Sequence, residues 1–327
     1  MIPGLDMWQS ILLIIVILLC INYLAIVLMD RLTTHPYDAH ASSMEGFDTM
    51  AQSSRTETLM GEEIYDDFYA SVYHKIFQHD RLVQAEAALA LHDWKDEMKP
   101  ADMRILDLCC GTGVASSYFA KESVGHIAAV DRSTAMLRYA KNKILPKTTL
   151  TDEQQSAIQW LQADAYAPSI LEPASITHAC LFYFTLYQFR DLTALFRNLA
   201  HWVKPGGHLA IEVVNKHKFE PIPDVANPWV AVSPQKYSKD RIKTAKATFD
   251  TFDYETSFEL EDNRAEFSET FRFKDGTSRR QTHTLWMPTI EQIIQTAREV
   301  GWSYQKFVNL DMIGFNYGYM LFFTRND

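Results

Sequence analysis

The sequence predicts an α/β fold with a doubly wound parallel sheet, on the basis of two observations. Between residues 104 and 214, short apolar segments of strand length alternate with amphipathic segments of helix length, which is typical of parallel strands joined by crossover helices. The segment that ends at Leu108 also runs directly into a glycine-containing turn that opens a helix. In such folds this turn lies at the edge of the sheet where ligands bind.

The first part of the 327-residue chain is interpreted as a membrane anchor. Residues 11–29 are mostly Ile, Leu and Val, and as a helix they would span roughly 28 Å, close to the hydrocarbon core of a bilayer. No Lys or Arg precedes them, which argues against a cleaved signal peptide, and a buried core helix is seldom apolar on every face. Arg31 follows the segment, so the positive-inside rule predicts a single-pass protein with a cytoplasmic C-terminal domain.

The predicted organisation is a transmembrane anchor at residues 1–30, a tether at 31–58 and one folded domain at 59–327. Residues 31–58 are rich in Ser, Thr, Met, His and Asp and lack periodicity, as linkers do. The net charge of −10 and the lack of a dense Lys/Arg run argue against a nucleic-acid partner. The four cysteines have the spacing of neither a disulfide framework nor a zinc site, so no metal is expected. The oligomeric state is left open.

Two helices are predicted ahead of the sheet. Residues 61–77 carry an aromatic-rich face at helical spacing, and a second helix covers about 80–92. The strands of the sheet are predicted, in order, at 104–108, 126–130, 158–162, 176–181 and 208–214. The helices between them are predicted at 114–121, 133–143 and 192–202. Ser133 is a suitable N-cap for the second of these helices.

The alternation of strands and helices stops after Val214. Residues 216–288 alternate apolar and polar residues with period two, and residues 274–277 form a hairpin-turn sequence, so an antiparallel insert is predicted. Because this connection leaves from the ligand-binding edge of the sheet, we expect the insert to act as a substrate lid. Its acidic residues are expected to form a solvated face: Glu255, Glu259, Glu261, Asp262, Glu266 and Glu269. A helix and a closing antiparallel hairpin are predicted to complete the fold, at 289–300, 304–310 and 319–323.

Acidic residues lie at the ends of three predicted strands. Asp107 precedes the glycine turn, Asp131 follows the second strand and Asp164 follows the third. A carboxylate at Asp131 can accept hydrogen bonds from both hydroxyls of a ribose. Since several nucleotide-binding classes share a glycine turn and an acid at that place, neither feature alone identifies the ligand. Asp164 discriminates better, because a dehydrogenase has no fixed need for an acid there.

The pattern around the glycine turn resembles that of class I S-adenosylmethionine-dependent methyltransferases of the small-molecule type. Cys109 stands where their Asp-x-Gly-x-Gly-x-Gly motif has its first glycine. Also similar are the Lys-Pro-Gly-Gly segment at 204–207 and the Tyr-Asp-Asp-Phe segment at 65–68. The resemblance covers about residues 60–215 and, more loosely, 285–327.

The resemblance implies a Rossmann-like seven-stranded sheet, S-adenosylmethionine (SAM) as cofactor, and N- or O-methylation of a small-molecule or lipid-like acceptor. The predicted anchor would place this reaction at a membrane surface. In this family a residue at the place of Met136 packs on the adenine, and an acid at the place of Asp164 reads the adenine edge. The residues that the resemblance assigns to cofactor binding are Asp107, Cys109, Gly111, Thr112, Gly113, Asp131, Arg132, Met136, Asp164, Ala165 and Phe182.

The acceptor site is expected after the fourth strand, where the sequence has an aromatic run at residues 182–187. The run lacks the Asn/Asp-Pro-Pro-Tyr motif of nucleic-acid and protein-amide methylation, so a small apolar or cationic acceptor is favoured. An amine acceptor needs only to be unprotonated, whereas a hydroxyl acceptor needs a base or a metal. The candidate bases are Tyr183 and His217. The predicted substrate-binding residues are Tyr65, Tyr69, Tyr73 and Tyr187.

Two other functions remain open from the sequence. A degenerate protein of the same fold could bind SAM or a partner without turnover, because no catalytic signature is evident. An NAD(P) oxidoreductase would share the glycine turn and Asp131. Affinities for SAM and NAD would separate these possibilities from a methyltransferase.

Overall fold

The computed structural model describes residues 56–77, 79–219 and 241–327, which form one seven-stranded and one five-stranded sheet with helices. The predicted anchor and the tether up to residue 55 lie outside the described residues. Over the described part of the chain, no helix has both the length and the apolar character needed to cross a membrane.

The described chain begins with a strand, β1 (Thr56–Met60), and a 3₁₀ turn at Gly61–Ile64. Two helices follow, α1 (Asp67–Phe77) and α2 (Asp80–Trp94). The sequence predicted a tether up to residue 58 and one helix over 61–77. The tether prediction is corrected at its end, because all five residues of β1 pair in parallel with the strand at 278–286.

The large sheet is built from strands and helices close to their predicted bounds. Its first five strands are β2 (Arg104–Leu108), β3 (His126–Asp131), β4 (Ile158–Gln162), β5 (Ile176–Leu181) and β6 (Val203–Val214). The helices between them are α3 (Val114–Lys121), α4 (Thr134–Tyr139), α5 (Asp152–Ser156) and α6 (Leu192–Trp202). Three details differ from prediction. Helix α5 was not predicted. A π-helical turn ends α4 at Ala140–Ile144, and residues 204–207 lie inside β6, as a bulge against β5.

The insert and the closing elements complete the described chain. The insert strands are β7 (Thr244–Thr248), β8 (Phe252–Glu261), β9 (Arg264–Phe273) and β10 (Ser278–Trp286). The closing elements are α7 (Ile290–Glu299), β11 (Trp302–Asn309) and β12 (Gly318–Arg325). Both the antiparallel insert and the closing hairpin agree with the sequence prediction.

The strand order of the large sheet is β11-β12-β6-β5-β2-β3-β4. Strands β2 to β6 pair in parallel, and β12 is antiparallel to both β6 and β11. The chain winds outward from β2 to β4 and then returns to β5 on the other side of β2. Ligands bind at the carboxyl edge of such a sheet beside the strand where the order reverses, which here is β2.

Helices cover both faces of this sheet. Alternate residues of β2 face opposite layers, because Leu106 belongs to one core cluster and Ile105 to the other. The first cluster includes Leu195 of α6 and Ile293 of α7. The second is formed largely by α2 and α3. The doubly wound, seven-stranded prediction is therefore confirmed.

The small sheet has the strand order β1-β10-β9-β8-β7. A third core cluster joins it to α1, where Phe68 makes edge-to-face contacts with Phe252, Phe271 and Phe273. Such aromatic pairs stabilise by about 0.5–1.5 kcal/mol each beyond the area they bury. Helix α1 is thus held against the insert.

Candidate active site

A cavity of about 740 Å³ opens where the carboxyl edge of the large sheet meets α1 and β10. Its wall includes the turn after β2, the ends of β3 and β5, and residues 283–285 of β10. Small-molecule pockets commonly measure about 300–1,000 Å³. The cavity therefore has room for a nucleotide-sized ligand together with a small second molecule.

The glycine turn after β2 adopts a backbone that leaves it open to a ligand. Cys109, Gly111 and Gly113 have φ angles of 58°, 53° and 75°, in the left-handed region that favours glycine. No atom lies within 4 Å of the position that a Cβ on Gly111 would take. At Gly113, in contrast, a Cβ would lie 2.4 Å from the ring of Trp160. Gly113 is therefore required for packing behind the turn, and it does not line the cavity.

Asp107 lies near the end of β2, just before the glycine turn. Its carboxylate accepts a hydrogen bond of 2.5 Å from the hydroxyl of Ser116 in α3. Burial raises the pKa of Asp107 to about 6, although the hydrogen bonds from Ser116 oppose the rise. Asp107 ties the first turn of α3 to the end of β2.

Asp131 lies beside the glycine turn at the end of β3. Its Oδ2 accepts a hydrogen bond from the Gly111 N–H, and its Oδ1 accepts one from the Ser133 N–H, both at 2.8 Å. Burial raises the pKa of Asp131, and backbone N–H donors oppose this rise. Each carboxylate oxygen keeps a second acceptor site, so the group can still receive ligand hydroxyls. Ser133 caps α4 as predicted, accepting from the Met136 N–H.

The third acid also lies on the cavity wall. Asp164 accepts a hydrogen bond from the Tyr166 N–H at 2.9 Å, and Arg132 lies 3.8 Å from its other oxygen. Met136 is 2 % exposed, and the surface it keeps faces the cavity. Apart from Gly113, every residue that the resemblance assigned to cofactor binding lines this one cavity.

The structure brings together only part of the predicted acceptor site. Tyr65, Tyr73 and Tyr183 line the cavity, and the rings of Tyr73 and Tyr183 lie 6.5 Å apart in edge-to-face geometry. Tyr183 and Phe184 have φ angles of 48° and 60°, a strained turn that directs the aromatic run after β5. These three tyrosines remain candidates for acceptor binding.

The other three residues predicted for the acceptor site do not line the cavity, so their assignment is corrected. Tyr187 is fully buried in the core, where its hydroxyl accepts a hydrogen bond from the Val214 N–H at 2.7 Å. His217 is exposed and is not part of the cavity wall. Tyr69 lies one layer behind the wall, and its hydroxyl donates to Glu269 at 2.8 Å. Tyr187 and His217 are therefore not part of the candidate site.

Sequence reasoning missed two residues of the insert, Glu269 and His283. Glu269 was expected on a solvated face, but it is fully buried. It receives hydrogen bonds from Tyr69, Tyr254, Gln281 and His283 at 2.6–2.8 Å. Burial would raise the pKa of Glu269, but the contacts with His283, Tyr254 and Gln281 hold it below its ordinary value. The carboxylate is thus surrounded by four hydrogen-bond donors inside the protein.

The strand alternation contains the signal that would have found Glu269. In β9 it is in phase with the apolar residues Ala265, Phe267 and Phe271, so it must point into the core. On β10, His283 lines the cavity. A buried carboxylate thus holds a histidine at the wall of the cavity.

Three further side chains lie close enough together to hold a metal ion, His74, His79 and Asp80. His74 Nδ1 and Asp80 already share a hydrogen bond of 2.5 Å. Burial and the neighbouring His74 lower the pKa of His79 to about 3, so its ring is neutral. His79 packs against Tyr73 and Tyr183, which gives it a packing role in the aromatic wall.

Comparison with known proteins identifies the family. A family model described as "Methyltransferase domain" matches residues 77–305. A curated relative, ubiquinone biosynthesis O-methyltransferase of Xylella fastidiosa (strain 9a5c), is 27% identical over 124 residues. That match covers 35% of this chain and 42% of the relative, so the chain spans less than half the length of the curated relatives it matches.

Solved structures share the fold at low sequence identity. The CcbJ methyltransferase from Streptomyces caelestis is 14% identical, with a TM-score of 0.59 over 80% of this chain and 98% of its own. CalS10, an amino pentose methyltransferase from Micromonospora echinaspora solved with SAM bound, is 16% identical, with a TM-score of 0.53 over 81% of this chain and 100% of its own. These similarities support the architecture of the described residues.

Proposed function

The chain belongs to the methyltransferase-domain family with SAM as cofactor, and on that premise we propose that it methylates a small-molecule acceptor bound in the 740 Å³ cavity. One observation carries the proposal. The cofactor motifs after β2, β3 and β4 line the same cavity as Tyr65, Tyr73 and Tyr183. An acceptor held by these rings would therefore lie beside the cofactor, and positioning is most of what methyl transfer needs.

The residues of the cavity fit the cofactor. The open side of Gly111 admits a ligand against the backbone, and Asp131 keeps acceptor capacity for the two ribose hydroxyls. Asp164 is available for the adenine edge and Met136 for its face. When bound, SAM supplies a methyl group already activated by a sulfonium. The protein then has to orient the acceptor, exclude water and manage one proton.

The insert supports the choice of a small acceptor. Residues 283–285 of β10 line one side of the cavity. Once a nucleotide-sized cofactor is bound, a cavity of this volume has room for a small second molecule. The insert would therefore select the acceptor as well as shield the reaction from water.

We propose further that residues 11–29 anchor the protein in a membrane, with the catalytic domain in the cytoplasm. The apolar run and the following Arg31 support this orientation. Such an anchor would suit a lipid-like acceptor. Carbonate extraction of membranes should leave the full chain in the pellet, whereas the chain without residues 1–30 should be released. Release of both forms would rule the anchor out.

Methyl-labelled SAM tests the proposed reaction. We expect the purified chain to move label from SAM into the low-mass organic fraction of a cell extract, and we expect Asp131→Ala to abolish this transfer. Label found only in protein or nucleic acid would contradict a small acceptor. SAM binding without any transfer would favour the degenerate SAM-binding protein instead.

A further inference from the structure

The strongest unassigned feature of the cavity is the pair formed by His283 and Glu269. The ring Nε2 of His283 lies 2.7 Å from Glu269 Oε2, and a carboxylate only accepts hydrogen bonds. The proton on this histidine therefore resides on Nε2 in the neutral ring. Its Nδ1 then carries a lone pair.

The lone pair of His283 is available on the cavity side. The ring is 11% exposed and lines the cavity. The hydroxyl of Tyr65 lies 3.4 Å from Nδ1, which is long for a hydrogen bond. Burial raises the pKa of Tyr65, so its phenol stays protonated and can donate. A better-placed hydroxyl of a bound molecule could take its place.

Glu269 gives His283 the support that a general base requires. It fixes the ring orientation and the tautomer, and its negative charge stabilises the imidazolium once a proton is taken up. Gln281 and Tyr69 donate to the same oxygen, Oε2, and Tyr254 donates to the other. The carboxylate is thus held in place by three elements: α1, β8 and β10. A fully buried charge so arranged is costly for a purely structural contact.

From this geometry we infer that His283 is the general base of the reaction and that the acceptor is an aromatic hydroxyl. The inference rests on the proposed methyl transfer. A hydroxyl acceptor needs a base, and an amine does not. The aromatic wall formed by Tyr65, Tyr73 and Tyr183 suits a flat ring.

Methylation of a hydroxyl requires a proton transfer as well as a methyl transfer. The O–H bond of the acceptor breaks, and its proton moves to Nδ1 of His283. The electron pair left on oxygen forms the bond to the methyl carbon, while the carbon–sulfur bond breaks with its pair on sulfur. His283 then returns the proton to water after product release. Glu269 remains ionised throughout and acts as a positioning residue.

The test uses para-nitrophenol, whose phenolate absorbs visible light. The full chain, saturated with S-adenosylhomocysteine, is titrated with the dye at a pH below the dye's own pKa, where free dye is mostly neutral. We expect saturable binding with a phenolate band, because the proton passes to His283. In His283→Gln, which keeps a donor for Glu269 but has no base, the phenolate fraction of bound dye should fall at least about tenfold. Glu269→Gln should lower it in the same direction.

Controls separate the possible failures. His126 begins β3, at the end away from the cavity residue Asp131. The control variant His126→Gln should therefore leave the phenolate band unchanged. Unchanged affinity for S-adenosylhomocysteine shows that a variant is folded. If the wild type itself does not bind S-adenosylhomocysteine, the proposed function is refuted. The dye titration of the wild type also tests the inference without any variant. No saturable dye binding, a neutral bound dye, an undiminished band in His283→Gln, or binding of benzylamine in place of the dye each overturns the inference.

Discussion

Asp131 combines a structural role with the proposed binding of the cofactor ribose. It holds the Gly111 and Ser133 N–H groups while facing the cavity. We expect Asp131→Ala to weaken SAM binding more than about tenfold, because a hydrogen bond to a charged group contributes roughly 1.5–3 kcal/mol. Titration calorimetry measures this. Asp102→Ala, an exposed acid ahead of β2, is the matched control and should bind normally. Wild-type affinity in a folded Asp131→Ala variant would remove this residue from the site.

A second residue-scale prediction concerns the pH dependence of stability. Glu212 is buried on β6, and burial raises its pKa from 4.5 to about 7, although it accepts a hydrogen bond from the Phe184 N–H. The folded state therefore binds the proton more tightly than the unfolded chain. This contribution to stability is full below about pH 4.5 and is lost as the pH rises to about 7.

Glu212→Gln keeps an acceptor for Phe184 and removes the titrating group. At about pH 8 its free energy of unfolding should exceed that of the wild type, and near pH 4.5 the two should agree. Urea unfolding at both pH values measures the difference. Glu299→Gln, exposed on α7, should show no such pH-dependent gain. An equal effect of Glu212→Gln at both pH values would contradict the raised pKa.

Sequence reasoning was most accurate where one residue type serves one local need. The left-handed turn explains Gly111 and Gly113, and the end of β3 explains Asp131. It failed at Glu269 and Tyr187, since their roles depend on what packs against them. A composition of many acidic residues suggests a solvated face, and only the phase of each residue in its strand shows which one turns inward.

At the scale of elements, β1 is the first strand of the described chain. Its five residues extend the small sheet by pairing with residues 278–282 of β10, the strand that carries His283. Deleting residues 1–55 should therefore leave the melting temperature and SAM affinity of the described domain intact. Deleting residues 1–60 should lower the melting temperature and promote aggregation, because it exposes an unpaired strand edge.

Differential scanning calorimetry and light scattering on the two truncated forms measure these effects. A domain that tolerates both deletions equally would show that β1 is dispensable. The sequence did not predict β1, because a five-residue strand joined to a partner more than 200 residues away leaves little local signal. In contrast, β2, β3, β5 and β6 were predicted well, since each buries most of its residues and is bounded by a turn or helix cap.

At the scale of the whole molecule, the large sheet and the insert enclose one cavity between them. The architecture of the large sheet follows from the alternation of strands and helices, which local patterns record. The meeting of β10 with α1 does not, because it depends on the side on which the insert folds back. Arg279 ties β10 to the turn before α1, since its guanidinium donates to Asp66 at 2.6 Å and to the Ile64 carbonyl at 2.8 Å.

Hydrogen exchange with and without SAM tests most directly the claim that the cofactor binds in this cavity. We expect SAM to slow amide exchange in peptides covering residues 107–114, 131–137 and 163–167, and we expect no such effect of NAD at the same concentration. Protection should extend to residues 281–286 of the insert if it closes over the bound ligand. Protection elsewhere with none in the first three segments, or equal protection by NAD, would contradict the assignment.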